Sequence, residues 1–146
     1  MDEKISESAV RAASEVRIVL GRLWRRMREL AADDDLTPSQ TAVLSRLDRD
    51  GAASTSDLAA AERVRPQSMA ITVAALDRYG FVERRPDPTD GRRQLLSLTD
   101  AGVERLKGDR QVRQEWLART LHGRYTEAQR RTILEALALL DDVAQS

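Results

Sequence analysis

The sequence predicts a mainly α protein with a small β-ribbon, in the order four helices, ribbon, two helices. Three observations predict it. Apolar residues recur at alternating three- and four-residue spacings over most of the chain, as they do in helices with one buried face. Well-placed Ser, Thr, Pro and Gly residues mark where those helices start and stop. One stretch breaks the helical period, where two short apolar runs flank a loop of turn formers.

The first helix spans residues 6–32, with Val16, Leu20, Leu23, Met27 and Leu30 on one stripe. Asp33, Asp34 and Asp35 then read as a solvated acidic loop. Thr37 caps a second helix, with Pro38 in its first turn and Gln40 completing a capping box. Its apolar face is Val43, Leu44 and Leu47, and Gly51 stops it. Ser54 caps a short third helix, with Asp57 three residues on. A turn over 62–65 leads to a fourth helix that starts at Pro66, buries Met69, Val73 and Leu76, and ends at Gly80. Strands at 81–85 and 94–98 enclose the loop 86–93. Thr99 caps a fifth helix running to about Leu121, with Gly123 as its stop. Thr126 and Gln129 form another capping box and open a last helix, where Ile133, Leu137 and Leu140 share a face.

Composition narrows the function classes. At 146 residues the chain suggests one domain, long enough to bury a core without staples. There is no cysteine, so disulfides, zinc–thiolate sites and thiol redox chemistry are excluded. Lys+Arg and Asp+Glu both number 24, so any nucleic-acid-binding charge must be local. The lysines are only Lys4 and Lys107, so the positive charge is nearly all arginine. Arginine suits forked contacts to phosphate and guanine, although a GC-rich genome gives the same bias. No apolar signal region or membrane-length run is present, which suggests a cytoplasmic protein.

The segment 54–80 reads as a helix-turn-helix packed through Leu58, Val64, Met69 and Val73, with Ala59 small at the close approach. A plain three-helix bundle has the same spacing. At ~100° per residue, Gln67, Ile71, Ala74 and Arg78 face away from the buried stripe of the fourth helix, flanked by Ser68 and Ala75. Gln67 and Ser68 sit in the first turn, where recognition helices reach base edges. The alanines keep this face thin enough to enter a major groove, although an ordinary solvated face has the same short residues. Ile71 fits either a lone exposed apolar residue, which needs no explanation, or a contact with a thymine methyl. The ribbon gathers Arg84, Arg85, Arg92 and Arg93, with Gly91 at a tight tip. Such a loop fits a narrow minor groove, and it also fits a hairpin kept in solution by its charge.

The run Gly80-Phe81-Val82-Glu83-Arg84-Arg85, then Asp87-Pro88-Thr89-Asp90-Gly91-Arg92-Arg93, then Leu96-Ser97-Leu98-Thr99-Asp100-Ala101-Gly102 resembles the MarR family of regulators over nearly the whole chain. The resemblance implies a six-helix winged helix-turn-helix protein. Residues 36–98 form its DNA-binding lobe, and 6–32 with 99–144 form a helical dimerisation region. It implies a homodimer on an inverted-repeat operator in double-stranded DNA, acting as a repressor that small aromatic or lipophilic ligands release. Asp90 and Arg92 become the wing pair, while Pro66, Gln67, Ser68 and Thr72 belong to the reading helix. Ser54, Arg65, Ile71, Arg84 and Arg93 complete the expected DNA-facing set, and Leu20, Ile133, Leu137 and Leu140 the dimer interface. Position 71 is Ile where many relatives carry a basic or polar residue, and the ligand site has no motif.

Two rivals remain at this level. A winged helix can bind protein alone, with its arginines meeting an acidic partner. Catalysis would have to rest on the single histidine, His122, without a cysteine partner, a Gly-rich phosphate loop or a metal-ligand cluster. No catalytic residue, metal or cofactor is therefore expected.

Overall fold

The computed structural model describes residues 4–30 and 36–146, so the acidic triplet Asp33–Asp35 lies outside the described residues. The elements are α1 (Glu7–Leu30), α2 (Pro38–Asp50), α3 (Thr55–Glu62), α4 (Pro66–Arg78), β1 (Val82–Pro86), β2 (Gln94–Leu98), α5 (Asp100–Arg124) and α6 (Glu127–Gln145). This is the six-helix, single-ribbon order that the sequence predicts. The chain divides into two compact units, Met1–Arg110 and Gln111–Ser146.

In the first unit the core is built where α2, α3 and α4 meet the ribbon. Val43, Leu44, Leu58, Met69, Val73, Leu76 and Leu96 are almost fully buried, and Leu106 of α5 closes over them. Local chemistry explains the helix starts. Thr37 accepts the N–H of Gln40 while the Gln40 side chain accepts the N–H of Thr37. Ser54 and Asp57 exchange the same pair of bonds at the start of α3. Each box satisfies two N–H groups that a helix leaves without partners. Arg63 makes the turn from α3 to α4 in the left-handed region, at φ 55°. Its N–H and that of Val64 return to the last carbonyls of α3. Val64, expected to pack between the two helices from the turn, is 40% exposed, and Ala75, expected to flank the outer face of α4, is buried. Ala75 is small enough to be covered by the lobe although it flanks the outer face.

The ribbon starts one residue later than expected. Phe81 is taken up in closing α4, its N–H donating to Leu76 O, so pairing begins at Val82↔Leu98 and ends at Pro86↔Gln94. Ala53 adds a short bridge to Leu96 through both backbone bonds. Thr99 then ties the ribbon to α5. Its hydroxyl donates to Gly80 O at 2.5 Å and accepts from Gly102 N at 3.1 Å, while its own N–H donates to Phe81 O. A Cβ at Gly102 would lie 2.2 Å from Phe81 O, so only glycine permits this approach.

α1 buries no residue completely; Val16, Leu23, Met27 and Leu30 are half-buried and Leu20 is exposed. In the second unit α5 runs through Gly123 to Arg124 instead of stopping at the glycine. The Arg130 guanidinium donates to Tyr125 O, with longer bonds to the carbonyls of Leu121 and His122. A charged donor thus closes this helix end, where cations are favoured. α6 opens with the expected box of Thr126 and Gln129. Ile133 and Leu140 are half-buried, and Leu134, Leu137, Leu139 and Val143 are exposed.

Candidate nucleic-acid interface

α3 and α4 form the helix-turn-helix, and the position of α4 follows from its two faces. Met69, Val73 and Leu76 fasten one side to the core. Pro66, Gln67, Ser68 and Ile71 stand exposed on the other, with Arg65 exposed just before the first turn. Thr72 is half-buried, and its hydroxyl donates to Ser68 O at 3.2 Å. That donor is spent inside the helix, leaving Gln67 and Ser68 as the hydrogen-bonding groups of the first turn. α4 has no side-chain cap at Arg65, so its first N–H groups are not taken by a capping side chain.

The wing is pre-shaped by its own loop. Asp87 N donates to Arg93 O at 2.9 Å and Arg93 N to Asp90 O at 3.0 Å, closing the loop across its base. The Asp90 carboxylate accepts the backbone N–H of Arg92, and that of Asp87 accepts both the N–H and the hydroxyl of Thr89. Asp90 therefore orients the tip through the Arg92 backbone, not through a guanidinium. The two neighbouring arginines then part company. Arg92 is exposed, and its side chain makes no ion pair among the described residues. Arg93 turns back onto α3, donating to Ser54 Oγ at 2.9 Å and Asp57 Oδ2 at 2.5 Å, 4.0 Å from Asp87. Arg84 approaches Asp77 at the end of α4, at 4.0 Å, and Arg85 pairs with Glu83 on the same strand.

Ser54, expected to face DNA, is buried as the cap of α3 and as a partner of Arg93. Asp57 and Asp87 are the positioning residues that sequence reasoning missed. Asp57 signals itself only as a capping residue and Asp87 only as a turn former, whereas their link to Arg93 crosses 36 residues in the first case. The Ser54 side chain and N–H, together with Arg93, hold the Asp57 carboxyl below the usual carboxylate range. The N–H and hydroxyl of Thr89, then the Asp90 N–H and Arg93, do the same for Asp87. Both carboxylates are therefore charged at neutral pH and compensate Arg93.

An exposed reading helix beside a charged, self-braced ribbon is the arrangement expected of a winged helix-turn-helix, and known proteins share it. Residues 36–93 match the family model described as MarR family. An HTH-type transcriptional regulator of Mycobacterium tuberculosis is 41% identical over 115 residues, 79% of this chain and 80% of its own length. This chain belongs to the MarR family. A Pseudomonas aeruginosa crystal structure, described as a transcriptional regulator protein, superposes with TM-score 0.82 at 35% identity. That match covers 97% of this chain and 99% of that one. A mutant of S. aureus MepR, solved bound to an oligodeoxyribonucleotide, has the same fold, with TM-score 0.69 at 17% identity over 97% and 99% of the two chains. The M. tuberculosis relative and the P. aeruginosa structure are both described as transcriptional regulators. Among the described residues there is no cluster of His, Asp and Glu able to hold a metal, and no helix long and apolar enough to cross a membrane.

Proposed function

We propose that this MarR-family chain is a sequence-specific DNA-binding repressor of the cytoplasm, acting as a homodimer on an inverted-repeat operator. The observation that carries the reading is the pairing of an exposed first turn on α4 with an Arg92 that no acidic side chain neutralises among the described residues, on a wing that Arg93 braces from behind. The MepR structure bound to DNA supports it by fold alone. Homodimerisation is supported by the exposed Leu20 of α1 and by the exposed Leu137 beside half-buried Ile133 and Leu140 on α6. These stripes lack full cover within one chain, and an isologous interface would supply it.

Release by a small aromatic or lipophilic ligand belongs to the same reading. A shallow cleft of about 250 Å³ runs between the starts of α2 and α4, with Ser68 and Thr72 on its wall. A ligand bound there releases DNA only to the extent that it prefers the unbound arrangement.

The test compares Gln67→Ala and Arg92→Ala on operator and random duplex at several salt concentrations. Gln67→Ala should cost about 1–3 kcal/mol on the operator alone if a bidentate base contact is lost. Arg92→Ala should weaken both duplexes and flatten the salt slope by about one counterion. If neither variant changes either affinity, α4 and the wing are not the interface. A chain with no salt-dependent affinity for any duplex would instead be a winged-helix protein-binding module.

A further inference from the structure

The outer face of α4 carries one large apolar side chain. Ile71 is 72% exposed, while Gln67, Ser68, Ala70 and Ala74 around it are polar or small. Ile71 therefore projects beyond its neighbours. Core packing does not explain it, because the buried stripe lies on the opposite side at Met69, Val73 and Leu76. Helix propensity does not explain it either, since a β-branched residue is worse than alanine or leucine at an exposed helical position. A protein-docking surface would need a contiguous apolar patch of a few hundred Å², and here the neighbours of Ile71 supply none.

The DNA major groove offers such a side chain one kind of partner. Its floor is lined with hydrogen-bond donors and acceptors, and the apolar group it presents is the 5-methyl of thymine. Against guanine or cytosine edges, Ile71 would strip water from polar atoms and return no hydrogen bond. Gln67 lies one helical turn earlier on the same face. Its amide can pair with the N6/N7 edge of adenine. Resting on the DNA-binding reading above, we propose that Ile71 is a specificity-determining residue that reads a thymine methyl in each half-site, beside an adenine read by Gln67.

The experiment first selects tight-binding duplexes from a random pool with the full chain, then replaces each thymine of a selected duplex by uracil in turn. This removes the methyl and leaves every Watson–Crick bond intact. Affinity is read by fluorescence anisotropy at fixed salt. One thymine per half-site should show a loss of about fourfold on replacement, the value for withdrawing one methyl-sized group from burial. Ile71→Ala acts in both half-sites at once, so on the thymine duplex it should lose about the square of that factor, on the order of fifteenfold, and become indifferent to uracil at that position. It should keep the wild-type melting midpoint, since its side chain is exposed. Ile71→Arg, selected on the same pool, should exchange that thymine for guanine. Tight binding that is unmoved by uracil at every position overturns the assignment while leaving the DNA reading intact. So does an Ile71→Ala variant that keeps the sensitivity. A chain that enriches no duplex overturns the DNA reading itself, and this assignment with it.

Discussion

Replacing Gly102 by alanine tests how the wing is held to α5. The new Cβ would stand 2.2 Å from Phe81 O, 3.1 Å from Phe81 C and 3.3 Å from its Cα. All three are backbone atoms, so no side chain can swing aside. Relief requires the start of α5 to retreat by about 1 Å to reach ordinary contact. That movement strains the bonds from Thr99 to Phe81 O and Gly80 O. Overpacking of this kind costs about 1–3 kcal/mol, and each hydrogen bond lost adds about 1 kcal/mol. The expected loss is about 2–4 kcal/mol, or on the order of 10 °C in melting temperature for a chain this size. Gly108 supplies the control within the same helix, because a Cβ there meets nothing within 4 Å. Gly108→Ala should gain about 0.5–1 kcal/mol. Urea unfolding at one fixed protein concentration reads both variants, the concentration being held because the stability of the proposed dimer would depend on it. A Gly102→Ala protein within 0.5 kcal/mol of the parent would refute the close approach and the role assigned to Thr99.

Three further outcomes follow from the wing and the helical stripes. Arg93→Ala should weaken operator and random duplex alike yet leave the salt slope near that of the parent, because Asp57 and Asp87 already neutralise Arg93; Asp57→Asn added to it should cost little more, and additive losses would sever the pair. Both carboxyls are held below their ordinary range, so the stability they contribute is present above the unfolded value and lost as pH falls through the folded one. Acid unfolding should therefore steepen below about pH 4, and Asp57→Asn should flatten that limb; an unchanged acid profile would contradict it. Leu137→Asp should leave each chain helical by circular dichroism while sedimentation shifts to the monomer, and a persistent dimer would remove Leu137 from the interface.

What the sequence made legible was what is local. Thr37 with Gln40 and Thr126 with Gln129 lie within one turn of each other, so a capping box can be read from spacing. The buried stripe of α4 follows from helical period alone. Legibility fails where a distant group takes over a local role. Gly123 looks like a stop, but Arg130 reaches back to close α5 and the helix passes through the glycine. Phe81 has strand character, but the closure of α4 claims its N–H. Arg92 and Arg93 are indistinguishable in a run of wing arginines, and only the approach of α3 separates an outward guanidinium from an inward brace. The Ala53–Leu96 bridge that brings Ser54 beneath the wing has no sequence signal either, since a single bridged residue has no period.

The central claim is that one α4 and one wing from each of two chains read a symmetric duplex. Hydroxyl-radical footprinting on a duplex selected from a random pool tests it most directly, with the bound stoichiometry measured on the same sample. The expected result is two chains per duplex and protection with dyad symmetry. Half-site centres should lie about 10 bp apart or at a multiple of that spacing. A footprint without a dyad, or one chain protecting the whole site, would contradict the account.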